Sequence, residues 1–201
     1  MAKKYIRHGF WDIGMKLILI DGGPASGKNT LGELLVQKYS EPDNKFILLD
    51  LDIYVEKINP SWIWEDKHTE KKDQQEARTN FAEDIDKYMQ HGFNVIAIGE
   101  RFLTENDIVN FIKRLKVKFS GYFLYHLSPP FDLRKLRLEQ RGPALLIDLG
   151  KDQRERDSNE KWYGYVYENV STPLEDAEIL KGLIQNDEGL LDAAFFREQE
   201  G

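Results

Sequence analysis

Gly22-Gly23-Pro24-Ala25-Ser26-Gly27-Lys28 has the spacing Gly-x-x-x-x-Gly-Lys, which suits a phosphate-binding loop, or P-loop. Glycines at both ends let the backbone curl until successive N–H groups point inward, and a helix N-terminus adds its positive end. Lys28 supplies a mobile ammonium for the outer phosphates. The usual Ser or Thr after the lysine is replaced by Asn29, with Thr30 next. Further along, Asp50 and Asp52 close an apolar run. Either could serve a metal or an acceptor, or simply cap the helix that follows. Glu100-Arg101 follows a third apolar run, where a metal-holding acid and a phosphoryl-facing arginine are expected. Arg134, Arg137 and Arg141 recur at i, i+3 and i+7, which aligns three guanidiniums on one helix face with Leu133 and Leu136 turned to the core.

These groups need elements to hold them. Leu17-Ile18-Leu19-Ile20 reads as a buried strand ending at the loop, and Leu31, Leu34 and Leu35 mark one face of a helix beyond it. Phe46 to Asp52 reads as a second strand that delivers its two carboxylates at the ligand-binding edge of an open sheet. Residues 53–73 are charge-rich and read as a flexible acceptor-side segment; Trp62 and Trp64 suit either packing or a ring platform, and His68 the surface. A helix from Gln74 to His91 carries Arg78, and Gly92 caps it. Strands then follow at Asn94–Gly99 and Phe119–Leu127, with a helix from Thr104 to Lys116 between them. From Gly142 to Lys161 the periodicity fails, which predicts an irregular lid over about 142–160. Its Lys151, Arg154 and Arg156 would close over phosphates. A short fifth strand near Tyr165 to Asn169 and a helix from Thr172 to Ile184, with Pro173 at its first position, complete the pattern.

The whole chain of 201 residues suits one domain. A formal charge of −7 argues against a broad nucleic-acid surface, so nucleic acid is an unlikely partner. The chain has no cysteine, which excludes disulfides and thiolate chemistry. No stretch reaches membrane-spanning length, and the N-terminus lacks a secretion signal, so a cytoplasmic enzyme is expected.

Alternating strands and helices, the P-loop first and an arginine-bearing segment late, resemble the P-loop kinase group of nucleoside, nucleotide and small-metabolite kinases. Gly27-Lys28-Asn29-Thr30 is similar to the Gly-Lys-Gly-Thr of adenylate-type kinases. Glu100-Arg101 resembles the acid-Arg pair of deoxynucleoside and thymidylate kinases. Asp50-x-Asp52-x-x-Val55-Glu56 is similar to the Asp-x-Asp-x-x-Ile-Glu of shikimate kinases, although Gly99-Glu100-Arg101 stands where those enzymes carry a glycine triplet. The resemblance implies a three-layer α/β P-loop NTPase fold with a mostly parallel five-stranded sheet. It also implies ATP and Mg2+, with Gly22 to Thr30, Arg141 and Arg154 on the nucleotide. Thr30, Asp50 and Glu100 would organise the metal. Lys28, Asp52, Arg101 and Arg137 would act in transfer, and Asp52, Arg78 and Arg101 would meet a small-molecule acceptor. That acceptor is either a hydroxyl or a phosphate. A regulatory nucleotide switch and a kinase for nucleic-acid 5′ hydroxyls are the alternatives, the former without an Asn-Lys-x-Asp sequence to support it.

Overall fold

A computed structural model of the chain describes residues 14–60, 70–141 and 148–192. Strand β1 (Lys16–Gly22) runs into the P-loop and helix α1 (Lys28–Tyr39). Strand β2 (Lys45–Asp50), helix α2 (Leu51–Ile58) and helix α3 (Glu70–Gln90) follow. Strand β3 (Phe93–Ile98), helix α4 (Glu105–Ile112) and strand β4 (Gly121–Leu127) come next. Helices α5 (Phe131–Gln140) and α6 (Leu149–Asp157), strand β5 (Tyr165–Tyr167) and helix α7 (Pro173–Gln185) complete the order.

The five strands form one sheet in the order β2-β3-β1-β4-β5, and each neighbouring pair is parallel. Strand β1 lies in the middle because its Leu17 to Ile20 are fully buried on both faces, as a central parallel strand must be. Its side chains alternate. Leu17 and Leu19 join Phe81 and Ile85 of α3 and Phe111 of α4 on one face. Ile18 and Ile20 join Leu31 and Leu35 of α1 and Leu180 of α7 on the other. The result is the expected three-layer α/β sandwich, with helices on both faces. Since all strands point the same way, Gly22, Asp50, Ile98 and Leu127 end at one edge, and β1 sits at the point where the strand order reverses.

Four expectations change. Strand β2 stops at Asp50, because its carboxylate accepts from the Asp52 N–H and starts α2; Asp52 therefore lies in the first helical turn, not on the strand. Helix α5 is rotated from its expected setting: Arg134 is buried and Leu136 is half exposed, because Arg134 finds a carboxylate and a carbonyl inside. The segment read as irregular contains α6, capped by Asp148, whose side chain accepts from the Lys151 N–H. Helices α2 and α3 likewise take up much of the segment expected to be flexible. Trp62, Trp64 and His68 lie outside the described residues.

Candidate active site

The loop between β1 and α1 is held open from outside. Ala25 (φ 59°) and Gly27 (φ 100°) adopt left-handed conformations, the kind of backbone turn from which anion-binding nests of N–H groups are built. Side chains hold carbonyls of the loop: Arg134 Nε donates to Pro24 O at 3.1 Å. Asn169 Nδ2 donates to Ser26 O at 2.8 Å, and Arg137 Nη1 reaches the same oxygen at 3.3 Å. These carbonyls are thus occupied by side-chain donors, and among the described residues the buried Ser26 Oγ has no hydrogen-bond partner. This is an arrangement that fits phosphate oxygens. Lys28 Nζ donates to Gly22 O at 2.6 Å. Burial, helped by the Arg101 charge, pulls its ammonium below the usual lysine range against the opposing pull of Asp21, Asp52 and Asp50.

Two carboxylates stand at the head of α2. Asp50 is nearly buried; its Oδ2 accepts from Asn29 Nδ2 at 2.6 Å and its Oδ1 from the Asp52 N–H at 3.1 Å. Asp52 is different. The residue is exposed, and no hydrogen bond or ion pair occupies its carboxyl among the described residues. Crowding by protein, with the Asp50 charge beside it, pushes its pKa up to about 6, although Lys28 pulls the other way.

Past β3 the chain turns at Gly99 (φ 96°), where a side chain would collide with the start of α2. Glu100 is then taken by two arginines: Oε1 accepts from Arg78 Nε at 2.8 Å and Arg114 Nη1 at 3.1 Å. Arg101 turns to the P-loop side. Its Nη1 donates to Asp152 Oδ1 at 2.7 Å, and its Nε pairs with Asp21 Oδ1 at 3.3 Å. Burial opposes its charge, but Asp21 and Asp152 more than offset this and raise its pKa. Asp21 also pairs with His126 Nδ1 at 2.9 Å. Burial works against the Asp21 carboxylate, yet His126, Arg101 and Arg156 together hold its pKa below the usual range.

These features can be set beside known proteins. The sequence profile of a family described as chloramphenicol phosphotransferase-like protein matches residues 15–124, more than half of the chain. The chain belongs to that family. It is thus a P-loop kinase-like phosphotransferase by family. A search of curated proteins returns no match. Among solved structures, a sugar kinase from Janibacter sp. superposes with a TM-score of 0.57 at 16% identity, over 87% of this chain and 95% of that one. Shikimate kinase from Acinetobacter baumannii, in complex with shikimate, gives a TM-score of 0.52 at 19% identity, over 87% and 94%. The Mycobacterium tuberculosis APS kinase, in complex with AMPPNP and APS, gives 0.55 at 12% identity, over 86% and 98%. At such identities the likeness is one of fold.

Of the residues singled out from sequence, Gly22 to Asn29, Asp50, Asp52 and Arg101 converge at the sheet edge of this phosphotransferase. Thr30 is exposed on α1. Glu100 and Arg78 are joined to each other, and Arg137 braces the loop from behind. Arg141 and Arg154 are exposed, whereas Arg156 is buried, with its guanidinium over the Trp162 ring at 4.9 Å. Among the described residues, no group of three or more His, Cys, Asp or Glu could hold a metal by itself, and no helix is long and apolar enough to cross a membrane. Sequence reasoning missed Asp21, His126 and Asp152. Asp21 and His126 did carry a signal, since each is a polar residue in an otherwise apolar strand. Asp152 carried none.

Proposed function

We propose that this protein transfers the γ-phosphoryl group of ATP to a hydroxyl of a small-molecule acceptor, with residues 142–160 acting as the lid of a single catalytic domain. The carrying observation is Asp52: an exposed residue whose carboxyl has no hydrogen-bond or ion-pair partner among the described residues, its pKa pushed up to about 6, beside the P-loop lysine. A base is most effective when its pKa lies near the working pH. A hydroxyl must lose a proton, whereas a phosphate acceptor needs no base and is repelled by a carboxylate. Arg78, which could clamp such a phosphate, already holds Glu100.

In this reading the N–H groups of the loop and Lys28 bind the triphosphate. Asp52 takes the acceptor proton as the acceptor oxygen bonds to the γ-phosphorus. The bond to the β,γ-bridging oxygen breaks, and its electron pair leaves with ADP. Arg101 meets the charge of the moving group. Asp50 suits one carboxylate contact to Mg2+, since each of its oxygens accepts one hydrogen bond and keeps a lone pair; Thr30 is the second candidate. When bound, the metal neutralises charge on the β- and γ-phosphates.

The family's description supports chloramphenicol as the first acceptor to try. ATP consumption should be measured with chloramphenicol, sugars, hydroxy acids, nucleosides, nucleoside monophosphates and a 5′-hydroxyl RNA oligonucleotide. Turnover with an alcohol that is lost in Asp52→Asn is the expected result. Turnover of monophosphates alone would overturn the reading, and ATP hydrolysis indifferent to every acceptor would favour a switch.

A further inference from the structure

Arg101 is gripped from two sides by carboxylates that come from distant parts of the chain. Asp21, at the end of β1, pairs with Nε at 3.3 Å, and Asp152, on α6, accepts from Nη1 at 2.7 Å. Each of these carboxylates is itself held. Asp21 is fully buried, and accepts from His126 Nδ1 at 2.9 Å and from the Gly22 N–H at 2.7 Å. Asp152 is also buried, and its other oxygen accepts from Arg134 Nη2. Arg134 is the same residue that draws the Pro24 carbonyl out of the P-loop. A Cβ on Gly23 would collide with the Asp152 carboxylate, so the loop glycine and this acid are in direct contact. Asp152 thus holds Nη1 by a hydrogen bond and Asp21 lies within ion-pair distance of Nε, while among the described residues neither Nε nor the buried Nη2 has a hydrogen-bond partner. The Arg101 charge also acts on Lys28.

A free arginine samples many rotamers and must be ordered each time it meets a ligand. One held in advance meets developing charge without that reorganisation. We propose that Asp152 and Asp21 are positioning residues for phosphoryl transfer: they fix the Arg101 guanidinium beside the P-loop, leaving its Nη2 edge to the moving phosphoryl group. This rests on the reading above, in which Arg101 meets that group. It also gives α6 a defined role. The helix contributes through an acid that orients an arginine of β3's exit, while its own exposed Arg154 is not part of this grip.

The test needs no knowledge of the acceptor. Binding of a fluorescent N-methylanthraniloyl-ADP with Mg2+ is measured alone and with aluminium fluoride, which mimics the planar phosphoryl group next to ADP. Wild type should bind more tightly with aluminium fluoride. Asp152→Asn should keep its affinity for ADP alone within about threefold, but lose roughly tenfold or more of the tightening. Arg101→Ala should lose the tightening as well, and the double variant should lose no more than Arg101→Ala, because Asp152 acts through Arg101. Additive losses would overturn the proposal. So would tighter ADP binding by Asp152→Asn, which would mean that the acid competes with phosphate. Should Asp152→Asn fail to fold, Arg101→Lys carries the test. It keeps the charge, but a point ammonium is not oriented by two carboxylates, so the tightening should still be lost. Full tightening by Arg101→Lys would overturn the proposal. If wild type binds ADP but shows no tightening, this inference falls; if wild type does not bind the nucleotide at all, the kinase reading falls with it.

Discussion

The Asn29 amide donates to Asp50 Oδ2 at 2.6 Å, which ties the residue after the P-loop lysine to the last residue of β2. The other oxygen of the same carboxylate caps α2 through the Asp52 N–H. One acid therefore links the starts of α1 and α2. Asn29 stands where a hydroxyl residue is usual, and its donor orients Asp50 from the side.

Removing that donor should disturb whatever Asp50 holds. In Asn29→Ala the half-saturating Mg2+ concentration for ATP turnover is expected to rise about tenfold, the lower range for loss of a residue that orients a metal ligand. Titration of Mg2+ at saturating ATP checks this. An unchanged midpoint would separate Asp50 from the metal.

Lys28→Ala should abolish turnover, by roughly 10²–10³-fold or more, as for loss of a preorganised charge donor at a reacting centre. Among the described residues Lys28 donates only to loop carbonyls, so far-UV circular dichroism and the thermal midpoint should stay close to wild type. Substantial activity in the folded variant would remove the P-loop as the site.

Asp52 gives a pH signature. As a base it must be ionised, so kcat should fall on acidification through about pH 6, with the pKa that its surroundings raise. Asp52→Asn should lower kcat about 10²–10⁴-fold and abolish that acidic limb. The effect on stability has the opposite sense. A carboxyl whose folded pKa is raised favours the folded state when protonated, and that contribution is present below about pH 4 and lost as pH rises through 6. Asp52→Asn should therefore raise the thermal midpoint slightly at pH 7 and not at pH 4. A lowered midpoint at pH 7 would contradict this.

Glu100 is expected to matter for stability first. Its side chain is mostly buried and carries both Arg78 and Arg114 on one oxygen. Glu100→Ala should cost about 1–3 kcal/mol in urea denaturation, in the range for charged hydrogen bonds; the partial exposure of both arginines, which water can then solvate, favours the lower end. A variant as stable as wild type, but with a raised Mg2+ requirement, would return Glu100 to the metal.

Much of this architecture was legible because it is written in local pattern. The apolar run Leu17–Ile20, the glycines of the loop and the leucines of α1 are neighbours in sequence, and their geometry follows from backbone sterics and burial. Boundaries were less legible. Whether β2 ran to Asp52 or stopped at Asp50 depended on a side chain capping its own backbone two residues on. Helix α6 was missed because its sequence, LGKDQRERD, has little apolar periodicity; its buried residues are Leu149, Asp152 and Arg156, two of them charged.

The sequence by itself therefore determined a phosphate-binding loop, a parallel α/β sheet and a set of acids and arginines at its edge. Only the tertiary structure decided which acid meets which arginine. Arg134 and Arg156, candidates to face phosphate, are buried, and Arg101 is claimed by Asp21 and Asp152. The physical reason is that a charge buried away from water must find its opposite within a few ångströms, and the candidates are set by which elements are neighbours. Asp21, Arg101 and His126 meet because β1 lies between β3 and β4, and Asp152 joins them because α6 returns over the same edge. Asp52 was left with no such partner among the described residues, which no spacing in the chain could have announced.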